Sequence, residues 1–267
     1  MTACTALRLA TFAVALATLP ASAEVISVAP RDTAGLIAAI EHANENPGED
    51  IIELAAGSLY AIDRAINDEQ AQGLPTIRSR IRILGNGAEI RAYTREPLLL
   101  VNIANSGTLR LEHLTLAEGT KGAVVNRGDL EIWRVAVVDN SATGSNAIVT
   151  NYGTLFGRHS EIAYNELIGT QRDAGIVLNY GKLDLAFSSL QGNRVLRRYA
   201  SLVSASAILN LGMASLREVS VTDNAADADA DARSAALVAL GNGRFEQVGT
   251  RFERNAPDAS ASLYIPN

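Results

Sequence analysis

The polar residues best able to do chemistry fall in three short stretches of the 267-residue chain. They are Gln171-Arg172-Asp173, Arg197-Arg198-Tyr199, and the run carrying Asp227, Asp229, Asp231 and Arg233. Carboxylates at alternate positions supply the oxygen ligands that Ca²⁺ takes, although this run lacks the glycine and the distal glutamate of an EF-hand loop. Guanidinium groups beside a tyrosine suit a carboxylate or a sugar that bears one. Each stretch also has a plainer reading, a solvated acidic loop that blunts an edge or a surface loop held by ion pairs. Glycoside hydrolysis asks for two carboxylates about 5–9.5 Å apart. Asp129 and Glu131, two residues apart on a strand, stand about 6.6–7 Å apart, an ordinary pair for a solvated face. The three histidines, His42, His113 and His159, are scattered, and shared zinc coordination needs them together. Neither Gly-Asn-Gly, at 85–87 or at 241–243, opens a helix that would hold phosphate.

What positions these residues is a repeat. With Gly107, Gly128, Gly153, Gly181, Gly212 and Gly243 as origins, the residues two before are Asn105, Asn126, Asn151, Asn179, Asn210 and Gly241. Nine after stand Leu116, Val137, Ile162, Leu190, Val221 and Phe252, and twelve after stand Gly119, Asn140, Asn165, Asn193, Asn224 and Asn255. The origins step by 21, 25, 28, 31 and 31 residues. A fixed register at such periods marks a solenoid or array. Within each copy apolar and polar residues alternate, as in Leu130-Glu131-Ile132 and Leu183-Asp184-Leu185, which is the period of strands. Strands bent at corners, one coil per copy, stack as a parallel β-helix, and the glycine and asparagine marks read as those corners.

The asparagine two before each glycine shares its parity with inward aliphatic residues. Inside, it must be hydrogen-bonded. Neighbouring coils about 4.8 Å apart let such side chains bond one another as a ladder along the axis. A second row, Asn140 to Asn255, repeats the arrangement.

The copies lengthen at one place, between the twelfth position of one copy and the sixth before the next glycine. Thr120-Lys121 is followed there by 141–146, 166–174, 194–205 and 225–236. The three polar stretches lie in the last three insertions, so stacking the coils gathers them on one face. Per-repeat insertions commonly form the binding face.

The N-terminal part is different. Leu36, Ile37, Ile40 and Ala43 share one face of a helix expected over 33–46, capped by Asp32 or Thr33 and ended by Pro47-Gly48. A solenoid end needs a cap, and this helix is the candidate. Before it, Met1–Ala23 has one charge (Arg8), an apolar run over 9–19 and Ala21-Ser22-Ala23 ahead of Glu24, the layout of a cleavable signal peptide. The run is shorter than the ~20 residues of a membrane span. Cleavage removes Cys4 and leaves a cysteine-free domain, 24–267, without disulfides. Without Arg8, 22 basic residues face 29 acidic ones, which argues against nucleic acid as a partner.

"GLIAAIEHANENPGEDIIELAAGSLYAI" resembles the N-terminal module of secreted bacterial right-handed β-helix proteins of the CSLREA type, with a pectin-lyase-like fold. Those run Leu-x-x-Ala-Ile-x-x-Ala-Asn, then Pro-Gly-x-Asp-x-Ile-x-Leu. "IRILGNGAEI" is similar to the segment that follows. The chain departs from the namesake motif, reading Thr33-Ala34-Gly35-Leu36-Ile37-Ala38 there. The resemblance implies a fold; the fold itself hosts lyases, hydrolases and adhesins alike.

The reading at this level is an all-β, right-handed parallel β-helix with a short N-terminal capping helix. It is expected to be secreted or envelope-associated, monomeric and non-catalytic, a structural or glycan-binding module needing no cofactor. The alternative is a lyase or glycoside hydrolase acting on an acidic polysaccharide. Its Asp173, Asp227, Asp229 and Asp231 would bind substrate or Ca²⁺, and its Arg172, Arg197, Arg198 or Arg233 would neutralise uronate or act as base.

Overall fold

The computed structural model describes residues 23–67, 70–144, 147–169, 174–197, 203–227, 233–256 and 262–266. They form a parallel β-solenoid of about eight turns, nearly all strand, with a single helix. The signal-like segment 1–22 lies outside the described residues.

Each regular coil begins, just after its origin glycine, with a strand such as Asp129–Trp133 or Thr154–Arg158, and turns into a second such as Ala136–Val138 or Glu161–Ala163. The copies pair in parallel and in the register of the repeat, Leu130 beside Leu155 beside Leu183, and Val137 beside Ile162 beside Leu190. The earlier strands Arg80–Ala92 and Thr108–Ala117 run through both rows. A third row, from Val101–Ile103 to Ser262–Ile265, closes the coil. Leucine, isoleucine and valine from these rows fill one continuous core.

The bends are made differently from the expectation. The origin glycines do not have left-handed backbone. They are required by close approach: a Cβ on Gly153 would meet Gly128 O at 2.0 Å, and one on Gly181 would meet Gly153 O at 2.1 Å. The left-handed corners lie six and eleven residues later. At the sixth position His113, Arg134, His159, Phe187 and Glu218 all have φ between 50° and 53°. At the eleventh Glu118, Asp139, Tyr164, Asp223 and Arg254 have φ between 51° and 57°. Such residues cost roughly 1–2 kcal/mol each, so corner geometry is held by the pairing of whole coils.

From 141 on, the described residues of the insertions other than Asp227 are strands. Their first residues form a fourth parallel row, Ser141–Gly144, Glu166–Gly169, Arg194–Arg197 and Ala225–Ala226, whose Ala142, Leu167, Val195 and Ala226 point into the core. Their last residues lengthen the third-row strands. Val203–Asn210 is buried along its whole length, because a second apolar cluster of Ala147, Leu178, Val203, Ala205, Leu209, Ala235, Val238 and Ile265 forms apart from the main core.

Two asparagine ladders cross the coils. In the first, the side-chain amides of Asn126, Asn151 and Asn179 each donate to the Oδ1 of the next, ending on Asn210, at 2.7 Å every time. In the second, Asn140, Asn165, Asn193, Asn224 and Asn255 are linked in the same way at 2.8–3.0 Å. Gly119 N donates to Asn140 Oδ1 and starts that ladder.

Asn105 departs from the expectation. It is exposed, and Ile103 pairs with Asn126 in its place. The corner Ala104–Gly107 is two residues longer than its successors, so counting back from the glycine misplaces the register. The last coil repeats this, with Ala239 beside Asn210.

At the N-terminal end the helix Thr33–Glu45 lies against the first coils. Asp32 Oδ1 accepts from Gly35 N at 2.7 Å, so Asp32 is the cap. Leu36, Ala39, Ile40 and Ala43 are buried, whereas Ile37 is only partly covered. Tyr60, fully buried beneath, donates to Val28 O and Ala29 O and accepts from Ala55 N. No helix of the described residues is long and apolar enough to cross a membrane.

Candidate functional site

The polar stretches singled out from sequence are only partly described. Arg172, Asp173, Arg198, Tyr199, Asp229 and Asp231 lie outside the described residues. Arg197 ends a fourth-row strand beside Gly169, and Arg233 begins a third-row strand beside Val203, so the two belong to different rows. Asp227 is exposed, with its N–H on Val195 O. Among the described residues no three His, Cys, Asp or Glu side chains gather into a metal-binding group.

Three carboxylates on the outer face of the first row, Glu112, Glu131 and Asp184, face arginines. Glu112, 8% exposed, accepts from Arg82 Nε at 2.8 Å and Nη2 at 3.0 Å, and Arg110 Nε stands 2.5 Å away as a second ion pair. The Arg82 hydrogen bonds hold the Glu112 carboxyl below the usual carboxylate range, against the effect of burial. Glu131 lies 3.9 Å from Arg110. Asp184 sits between Arg158 at 3.2 Å and Arg217 at 3.4 Å. These groups join neighbouring coils. A carboxyl kept ionised by guanidinium is poorly suited to donate a proton.

A different surface combines room with a concentration of amide and cationic side chains. A groove of about 820 Å³ opens between Asn67 with the stretch 70–78 and the start of the third row. Its walls carry three cations, Arg78, Lys121 and Arg127, and five amides, Asn67, Gln70, Gln72, Asn102 and Asn105. Asn105, displaced from the ladder, thus lines the groove. Among the described lining residues there is no carboxylate.

The groove wall is a hydrogen-bonded chain. Gln72 Nε2 donates to Gln70 Oε1 at 2.6 Å, and Thr76 Oγ1 donates to Gln72 Oε1 at 3.0 Å. Asn102 Nδ2 donates to Thr76 Oγ1 at 3.2 Å, and Arg127 Nη1 donates to Asn102 Oδ1 at 3.2 Å. Arg127 also lies over the Tyr152 ring, 5.4 Å from its centroid, and Tyr152 stacks on Tyr180 at 4.9 Å with the rings 3° from parallel. This column holds the guanidinium on two sides. Lys121 Nζ donates to Gln70 O at 2.9 Å. Side chains ordered before a ligand arrives lose less freedom on binding.

Sequence reasoning missed this groove, though part of its signal was present. Arg127, Tyr152 and Tyr180 are the residues just before three successive origin glycines, the middle letters of Asn-Arg-Gly and two Asn-Tyr-Gly triplets. The opposite wall comes from a segment with no repeat, and nothing in its pattern says which coil it lies against. A second aromatic set, Trp133, His159 and Phe187, lies at the first left-handed corner, Trp133 just before Arg134 and the other two at the corner itself, with successive centroids 5.2 and 5.3 Å apart.

The chain matches no protein-family model and no curated protein.

Proposed function

We propose that this chain is a secreted or envelope-associated, non-catalytic β-solenoid, right-handed and of the CSLREA type, that works as a monomeric structural and binding module for a surface glycan. The observation that carries the reading is the groove at Arg78, Gln72, Asn102, Lys121 and Arg127. Planar amides with both donors and acceptors match vicinal hydroxyls, and a few well-placed polar groups in a concavity are the usual make-up of a ligand site. The arginine-bound carboxylates of the first row support a structural role for that face. The signal-like N-terminus and the resemblance of residues 35–62 support export.

The test is a panel of neutral and acidic polysaccharides, assayed for binding and for unsaturated product, with and without Ca²⁺. Binding without product is expected. Lys121→Ala combined with Arg127→Ala should weaken it about tenfold or more, in line with the loss of charge-assisted hydrogen bonds. Arg197→Ala with Arg198→Ala should leave it unchanged. Unsaturated product lost on replacing Asp227, Asp229 and Asp231 would instead establish the lyase reading. Loss of binding in the Arg197 and Arg198 variant alone would move the site to the inserted face.

A further inference from the structure

Among the described residues Asp50 is the carboxylate most completely removed from solvent, at 0% exposed. It points inward from the start of the strand Glu49–Leu54, which pairs in parallel with the first strand, Val25–Val28. Its hydrogen-bond partners are Glu24 N at 2.9 Å on Oδ1 and Asn46 Nδ2 at 3.1 Å on Oδ2. No ion pair among the described residues includes it. Asn46 is also the C-cap of the helix, so the carboxylate lies at the negative end of the helix dipole. A cation facing a carboxylate in that position would be a favourable partner.

The donor to Oδ1 is the main-chain nitrogen of Glu24, the residue that follows Ala21-Ser22-Ala23. Glu24 is held there independently: its O accepts from Ile51 N at 2.7 Å, and its side chain meets His42 Nε2 at 2.8 Å. We propose that cleavage between Ala23 and Glu24 completes this site, the new α-ammonium of Glu24 docking on the buried Asp50 carboxylate and tying the first strand to the capped end of the solenoid. A peptidase that accepts small residues at Ala21 and Ala23 would catalyse addition of water. The water oxygen goes to the Ala23 carbonyl carbon and both protons go to the Glu24 nitrogen, so an amide N–H becomes an ammonium opposite Asp50. Processing and end-capping are then one event, an inference that rests on the export reading above.

Two measurements keep the parts separate. The mass of the exported protein reports processing: a chain beginning at Glu24 is expected, and any other start overturns both the cut and the docking drawn from it. Docking itself is read on the full chain with a protease site placed immediately before Glu24. Cutting should raise Tm by about 5 °C, a shift of the order that one strong polar contact gives a domain of this size. The rise should vanish in Asp50→Asn. Should that variant fail to fold, the cut chain acetylated on the Glu24 nitrogen should show no rise. Equal melting of cut and uncut chains, or a rise that survives acetylation, overturns the docking while leaving export untouched.

Discussion

The buried asparagine ladders and the charged row on the outer face of the first strands use the same geometry for opposite purposes. Both are columns of polar side chains joined from coil to coil. The ladders are neutral amides at 0–1% exposure from Asn126 to Asn224, their Nδ2 donors matched by a neighbour's Oδ1 and main-chain carbonyls and their Oδ1 acceptors by neighbouring amides and main-chain N–H groups. The outer row uses ions, Arg82–Glu112–Arg110 and Arg158–Asp184–Arg217, where water reaches them. An amide column carries its dipoles into a low-dielectric interior without net charge, whereas an ion column there would need desolvation that its attraction seldom returns. The same spacing therefore selects amides inside and ions outside.

The sharpest break of that division is to put a charge inside. Ile162→Asp buries an unpaired carboxylate between Val137 and Leu190 in a core one coil wide. The expected outcome is loss of folding, a destabilisation of more than about 4 kcal/mol, visible as loss of the cooperative transition in circular dichroism.

Breaking one rung is milder. Asn179→Ala leaves Asn151 Nδ2 without its side-chain acceptor and Asn210 Oδ1 with Gly212 N alone. A cost of about 1–3 kcal/mol is expected in urea unfolding. A variant melting with the parent would mean that the ladder adds register without stability.

The smallest effect is expected outside. Glu112→Gln keeps the shape and removes the charge shared by Arg82 and Arg110, at a cost of about 1–2 kcal/mol at neutral pH. The folded-state pKa of Glu112 is depressed below the ordinary value of about 4.3. Its contribution is therefore complete above that value and is lost as the pH falls through the folded-state pKa. Parent and variant stabilities should converge once the pH has fallen below that depressed pKa, and a difference that persists there would point to packing instead of charge.

The interior was open to a reader of the sequence because a solenoid repeats one environment. Val137, Ile162 and Leu190, and Asn140 through Asn255, meet the same neighbours coil after coil, so each place is written several times over. The first ladder was legible only between Asn126 and Asn210. At Asn105 and Gly241 the corner takes two more residues, and a register counted from glycine cannot detect a change in the corner that the glycine itself ends. The corner glycines were found for an incomplete reason, since alternation shows where a strand stops but not that the coil below presses on it. The left-handed corners at His159 and Phe187 have no compositional mark at all, because pairing on both sides imposes their backbone.

What the sequence alone determined is periodic: strand rows, stacked coils, inward asparagines and a helix at one end, each following from the alternation of side chains along the chain. What only the tertiary structure decided is where non-repeating segments meet the repeat. The stretch 70–78 reaches Asn102 and Lys121 to make the groove, and Glu24 reaches Asp50 beside the end of the helix. Each contact joins residues distant in sequence, and neither 70–78 nor Glu24 has copies to announce its place.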